Sequence, residues 1–152
     1  MPGTNPGDVS KSPLASREGG SALDAMGRQG WFGLAGWMVF GLLLEGLLAY
    51  KTPAYLNDPQ RRELFRLAHS HGSLLSLFLI VAALWAQRSS PGPRRIVRLA
   101  LRCGTVLMPA GFLLAGMWHF ESDPGLAIWL VPGGAILVIF GTLTFAFRRA
   151  GP

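Results

Sequence analysis

The sequence predicts an all-α integral membrane protein, a four-helix bundle preceded by a disordered amino-terminal tail. Half of the 152 residues are hydrophobic and only 14% are charged. Four apolar stretches are long enough to cross a hydrocarbon core of about 30 Å at about 1.5 Å per helical residue. They cover about residues 31–50, 67–87, 96–120 and 126–147. Because only short polar connections separate them, residues 29–149 are predicted to form one bundle with no second folded domain.

The tail before the first span has a different composition. The first thirty residues contain six Gly, three Pro and four Ser, and no aromatic residue. Such a segment buries little apolar surface, so residues 1–28 are predicted to be disordered. The tail also lacks the apolar central region of a secretory signal peptide, which makes residues 31–50 an uncleaved first span.

The arginines and lysines predict the orientation of the spans. With four spans, the tail, the second connection and the carboxyl end share one side of the membrane. That side carries ten basic residues: Lys11, Arg17, Arg28, Arg88, Arg94, Arg95, Arg98, Arg102, Arg148 and Arg149. The other side carries four: Lys51, Arg61, Arg62 and Arg66. The bias predicts a multi-pass protein of a bacterial inner membrane with both termini cytoplasmic. Arginines at helix ends are expected to meet the anionic headgroups of the lipid bilayer, not nucleic acid.

Four ionisable side chains are predicted to share the outer half of the membrane. Glu45 lies near the outer end of the first span, His69 and His71 open the second, and His119 closes the third. Ionisable groups at such depth are functional candidates. His69 and His71 point about 200° apart on a helix and cannot easily bind one small metal ion. We expect His69 to face the bundle interior and His71 to face lipid or a second protomer.

Small residues accompany these groups on three helices. Gly41 and Ala49 flank Glu45 at spacing four, Gly111 and Ala115 precede His119 in the same way, and Gly72 follows His69. Such stripes allow close helix packing. They predict a shared polar pocket in which His69 and His119 are candidate metal ligands and Glu45 is a proton or ion partner. Protonation of Glu45, or its pairing with His69, His119 or Arg66, would lower the cost of placing this carboxylate within a span.

The segment Ala68-His69-Ser70-His71-Gly72, opening a long apolar helix, resembles a helix of the haem-copper oxidase large subunit. In that family two histidines of one helix bind two haems on opposite faces. The surrounding stretch is also similar to a segment of nitric oxide reductase large subunits and of uncharacterised four-span bacterial membrane proteins. The resemblance implies a b-type haem (haem b) held by His69 and His71, or quinol and proton chemistry, at the outer side. His119, at the same depth, is a further candidate cofactor-binding residue. This chain departs from the oxidases because no histidine pair in another span could form their copper site.

Three functional hypotheses follow. The first is a haem-binding or metal-binding redox protein with an electron-transfer role at the outer face. The second is a small oligomeric transport or ion-conducting protein that uses the pocket around Glu45. The third is an accessory subunit of a larger membrane complex, in which the histidines have structural roles: His69 bonding across helices, and His71 and His119 reaching the headgroups. A single cysteine, Cys103, excludes a disulfide and a Cys-x-x-Cys-His haem attachment site.

Overall fold

The computed structural model describes residues 13–89, 92–119 and 123–147 of the chain. Its elements are α1 (Pro13–Ala49), α2 (Pro53–Leu56), α3 (Pro59–Gln87), α4 (Arg95–Met117), a 3-10 helix (Leu126–Trp129) and α5 (Leu130–Phe147). Four segments are long and apolar enough to cross a membrane: Gly20–Ala49, Pro59–Gln87, Arg95–Met117 and Leu126–Phe147. The all-α, four-span architecture predicted from the sequence is therefore confirmed.

Helix α1 begins earlier than the sequence predicted. Residues 13–28 were assigned to a disordered tail but are helical, whereas residues 1–12 lie outside the described part of the chain. Leu23 and Met26 are only 8% and 1% exposed, and Met26 packs into a cluster with Ala82 and Ala83 of α3. Composition describes the tail in isolation. In the folded chain, the end of α3 offers an apolar surface on which Met26 packs.

Helix α3 also begins earlier, at Pro59 instead of about residue 67. The Asp58 carboxylate caps this end by accepting a 2.9 Å hydrogen bond from the backbone N–H of Arg61. Proline at the first helical position suits such a start because its missing N–H would have no partner there. Helix α4 ends at Met117, so His119 lies just beyond it in a loop and not inside the span.

The long helices pack in chain order: α1 on α3, α3 on α4, and α4 on α5. Between α1 and α4 there are few contacts, and in the described part of the chain α1 and α5 do not meet. The bundle is therefore an open one, in which α1 and α5 are largely exposed along their apolar lengths. Those surfaces are suited to contact with lipid.

Glycines allow the close approach of neighbouring helices. A Cβ added at Gly134 of α5 would lie 2.6 Å from the backbone nitrogen of Met108 in α4, and one at Gly72 of α3 would collide with the ring of Trp37 in α1. Small residues at such contacts are typical of helix association in membranes, where packing replaces the hydrophobic driving force.

Candidate functional site

His69 lies in the interface between α1 and α3. Its Nδ1 is 2.8 Å from the carbonyl oxygen of Trp37, and because a carbonyl only accepts, Nδ1 carries the proton. The ring is seated on Gly41: a Cβ at that position would lie 2.5 Å from Cε1 and 3.0 Å from Nε2 of His69. The side chain thus faces a neighbouring helix, as its small-residue face predicted, and it links α1 to α3.

His71 occupies a different environment from the one expected. Its Nδ1 is 2.9 Å from the carbonyl oxygen of Leu67, one turn earlier in α3. The half-buried ring packs against Phe112 of α4, with 5.1 Å between ring centroids and 35° between planes. The sequence placed this side chain towards lipid or a second protomer, but the packing of α4 against α3 brings it to an intramolecular aromatic contact. The Nδ1–H donation leaves the lone pair of Nε2 available.

The side chain of His119 is largely buried, with 6% of it exposed. Its Nε2 is 2.8 Å from the carboxylate of Asp58, while its buried Nδ1 has no hydrogen-bond partner in the described ranges. Arg61 strengthens the same junction because its Nε donates to the carbonyl of Gly116 over 3.2 Å. The carboxyl end of α4 is thereby tied to the start of α3. The sequence reading missed Asp58, although Asp-Pro at a helix start is a recognisable capping signal.

The surroundings of Asp58 change its acidity. Partial burial raises the pKa of its carboxyl group, but the backbone N–H of Arg61 and the positive charges of His119 and Arg61 lower it by more. The net pKa lies below the ordinary value of 3.8. Asp58 is therefore a carboxylate at neutral pH.

Glu45 does not join the histidines. Its side chain is exposed on α1 and has no hydrogen bond or ion pair with any described residue. The predicted partners are engaged elsewhere: Arg66 lies 3.7 Å from Glu63, and His119 lies against Asp58. The shared pocket expected from the sequence is therefore not formed within one chain. Depth in the membrane follows from sequence position, but the rotation of each helix about its axis does not.

A metal centre of several ligands is also not assembled. Within residues 13–89, 92–119 and 123–147 there is no group of three or more His, Cys, Asp or Glu side chains that could hold a metal ion. His69 and His119, the proposed metal ligands, are bonded to Trp37 and Asp58 respectively. Each histidine thus has its own structural partner.

Two grooves flank the central α3–α4 pair. The α3–α5 groove contains a cavity of about 220 Å³, lined by Phe78, Val81, Ala82, Trp85, Leu101, Thr142, Phe145 and Ala146. The α1–α4 groove contains a cavity of about 400 Å³, lined by Gln29, Phe32, Gly33, Trp37, Ser76, Leu79, Thr105, Val106, Ala110 and Leu113. Ser76 and Phe78 point about 200° apart on α3. The two grooves therefore lie on opposite sides of the molecule.

Comparisons of the chain with models of known protein families, with curated proteins and with solved structures find no match. The features of the protein that bear on its function are the three histidines, the two grooves and the exposed outer helices.

Proposed function

We propose that this protein is a membrane-embedded redox protein that binds haem b through His71 in the α3–α5 groove. The observation that carries the proposal is the hydrogen bond from Nδ1 of His71 to the carbonyl of Leu67. Histidines that bind metals almost always donate their other ring N–H to a carbonyl, carboxylate or water, which fixes the tautomer and raises the basicity of the ligating nitrogen. His71 is held in that state within the outer half of α3.

The α3–α5 groove lies along the helical face that carries His71, about two turns further on, and its lining is apolar. Phe78, Ala82 and Trp85 follow His71 by 7, 11 and 14 residues, so they continue the same helical face. All three line the 220 Å³ cavity. Because this groove is an open one, a haem there would lie partly against lipid or a second copy of the chain. When bound, haem would supply one-electron transfer, and the chain would contribute Nε2 of His71 and an apolar groove to hold it.

His69 fits this role less well than the resemblance implies. Its Nε2 lies beside the backbone of Gly41, so a planar cofactor could reach that atom only if α1 and α3 separated. His119 has its Nε2 engaged by Asp58 and its Nδ1 buried. His71 is then the one haem ligand that each chain supplies. His69 and His119 have structural roles, so they serve as matched controls.

The test is an ultraviolet-visible spectrum of protein purified in mild detergent, oxidised and then reduced with dithionite. We expect a Soret band that shifts on reduction, disappears in His71→Gly and returns when imidazole is added to that variant. His69→Ala and His119→Ala should retain the band. A featureless spectrum from wild-type protein expressed with ample haem, or a band that survives His71→Gly, would overturn the proposal.

A second candidate is an accessory subunit of a larger membrane complex or a homo-oligomer. The observation in its favour is the open helix order, which leaves α1 and α5 with apolar faces and no protein neighbour in the described part of the chain. Native electrophoresis of gently solubilised membranes distinguishes it. An assembly that persists unchanged when His69, His71 and His119 are all replaced by alanine supports this role. The transport hypothesis would need Glu45 to act from an exposed position on α1, where it has no hydrogen bond or ion pair with a described residue.

The bacterial inner membrane, with both termini in the cytoplasm, is the location we propose. The ten basic residues on one side against four on the other support it. The outer face would then carry the Asp58–His119 junction, and the cytoplasmic face would carry the arginines that precede and open α4.

A further inference from the structure

Arg102 is the starting point for a second ligand site. It lies seven residues after Arg95, about 10 Å along the membrane-spanning helix α4. Its Nε donates to the side-chain oxygen of Gln29 over 2.7 Å, and the amide nitrogen of Gln29 donates to the carbonyl of Arg102 over 2.9 Å. This reciprocal pair holds the guanidinium where α1 approaches α4.

Most of the N–H donors of the Arg102 guanidinium have no partner among the described residues. Its two terminal nitrogens have no hydrogen bond or ion pair with a residue of the described ranges. The neighbouring Arg98 differs, since its guanidinium donates to the carbonyl of Pro93 over 2.6 Å. No acidic residue occurs between positions 88 and 120, so α4 itself carries only positive charge. A half-buried guanidinium with free donors is suited to a phosphate or carboxylate.

The α1–α4 groove begins at this pair and leads into the membrane. Gln29 lines its polar end, and Trp37, Val106, Ala110 and Leu113 line its apolar length. From Thr105 to Leu113 the groove runs about 12 Å along α4, within the roughly 15 Å depth of one leaflet of hydrocarbon. A charged end and an apolar channel of that length match a molecule with an anionic head and one long chain.

We propose that this groove binds an anionic phospholipid from the leaflet on the arginine-rich side of the membrane. Its phosphate meets the terminal nitrogens of Arg102, and one acyl chain lies between α1 and α4 against Trp37 and Ala110. The lipid fills the space that the sparse contact between these two helices leaves open. The site lies on the opposite side of the α3–α4 pair from His71, so it does not depend on haem binding.

The test is native mass spectrometry of the full chain titrated with phosphatidylglycerol in detergent. We expect phosphatidylglycerol to bind more tightly than phosphatidylcholine, and glycerol phosphate without acyl chains not to bind. Arg102→Gln should weaken phosphatidylglycerol binding by about tenfold, because hydrogen bonds to a charged group are lost. Ala110→Phe should prevent binding by filling the groove while leaving Arg102 in place.

Two variants serve as controls. Arg98→Gln removes the same charge one turn earlier on α4, and Ala35→Phe adds the same ring on an exposed part of α1; both should bind the lipid like wild type. Equal affinity for phosphatidylglycerol and phosphatidylcholine, retention of the lipid by Ala110→Phe, or binding of glycerol phosphate alone would overturn the proposal. If Arg102→Gln fails to fold, Ala110→Phe and the comparison of headgroups still decide the outcome.

Discussion

At the scale of single residues, Asp58 joins the start of α3 to the end of α4. One carboxylate caps α3 through the N–H of Arg61, lies 2.8 Å from His119 and lies 3.6 Å from the Nε of Arg61. The first interaction is local to the start of α3, whereas the second joins residues that are far apart in sequence. Removing this side chain would therefore release a helix cap and the end of α4 together.

This position predicts an acid-sensitive contribution to stability. The folded-state pKa of Asp58 is below its unfolded value, so the stabilisation is complete above about pH 4 and is lost as the pH falls through the folded-state pKa. In a non-ionic detergent, the midpoint temperature of thermal unfolding of the wild type should fall when the pH is lowered below about 4. In Asp58→Asn the midpoint temperature should depend less on pH over this acidic range.

The matched control is Glu63→Gln on the same helix. Glu63 and Arg66 form an ion pair whose side chains are 62% and 72% exposed, and such surface pairs contribute little. Below about pH 4, the midpoint temperature of Glu63→Gln should fall as much as that of the wild type. If Asp58→Asn and wild type lost stability in parallel on acidification, the Asp58–His119 contact would not be a source of the acid sensitivity.

At the scale of helices, α5 shows how glycine determines which side of an apolar helix packs. Gly133 and Gly134 are adjacent, yet only Gly134 faces α4: a Cβ at Gly134 would lie 2.9 Å from the Cβ of Met108, whereas one at Gly133 would meet nothing within 4 Å. The helix is apolar on nearly every side, so hydropathy does not distinguish the two positions. Close approach of the backbones is the feature that does.

The pair provides a matched test of the α4–α5 interface. Gly134→Ala should lower the free energy of unfolding by about 1–3 kcal/mol, because the added methyl group forces two backbones apart. Gly133→Ala should leave it unchanged or raise it by up to about 1 kcal/mol, because it only removes unfolded-state freedom. Unfolding in mixed micelles with increasing dodecyl sulfate measures both. Equal effects of the two substitutions would contradict the packing of α5 on α4.

At the scale of the whole molecule, the open helix order separates two surfaces with different chemistry. One groove has the aromatic face that continues from His71, and the other has Arg102 and Gln29 at its end. A closed bundle would have buried both grooves in one core. The open arrangement gives this small chain two separate grooves, one for each of the two proposed ligands.

The proposed orientation is tested with cysteines in a Cys103→Ser background, since Cys103 is exposed. Asn57 and Arg88 are exposed positions just outside the two ends of α3, which is about 43 Å long. A membrane-impermeant maleimide applied to intact cells should label Asn57→Cys, and it should label Arg88→Cys only after permeabilisation. The opposite pattern would reverse the orientation, and labelling of both from one side would contradict the spanning of α3.

The sequence by itself determined the class of protein, the number of spans and the asymmetry of charge. These properties depend on length, hydropathy and the positions of arginines, which are local along the chain. It also marked His69, His71 and His119 as the unusual side chains. It did not extend α1 back to Pro13, because the apolar surface on which Met26 packs belongs to α3 and α4.

Only the tertiary structure decided which groups meet. It separated Glu45 from the histidines, paired His119 with Asp58, turned His71 towards Phe112 and joined Gln29 to Arg102. In a membrane, lipid and neighbouring helices are about equally apolar, so hydropathy does not show which side of a span packs against protein. The rotation of each helix is set instead by close contacts between residues far apart in sequence, such as Gly134 with Met108 and Gly41 with His69.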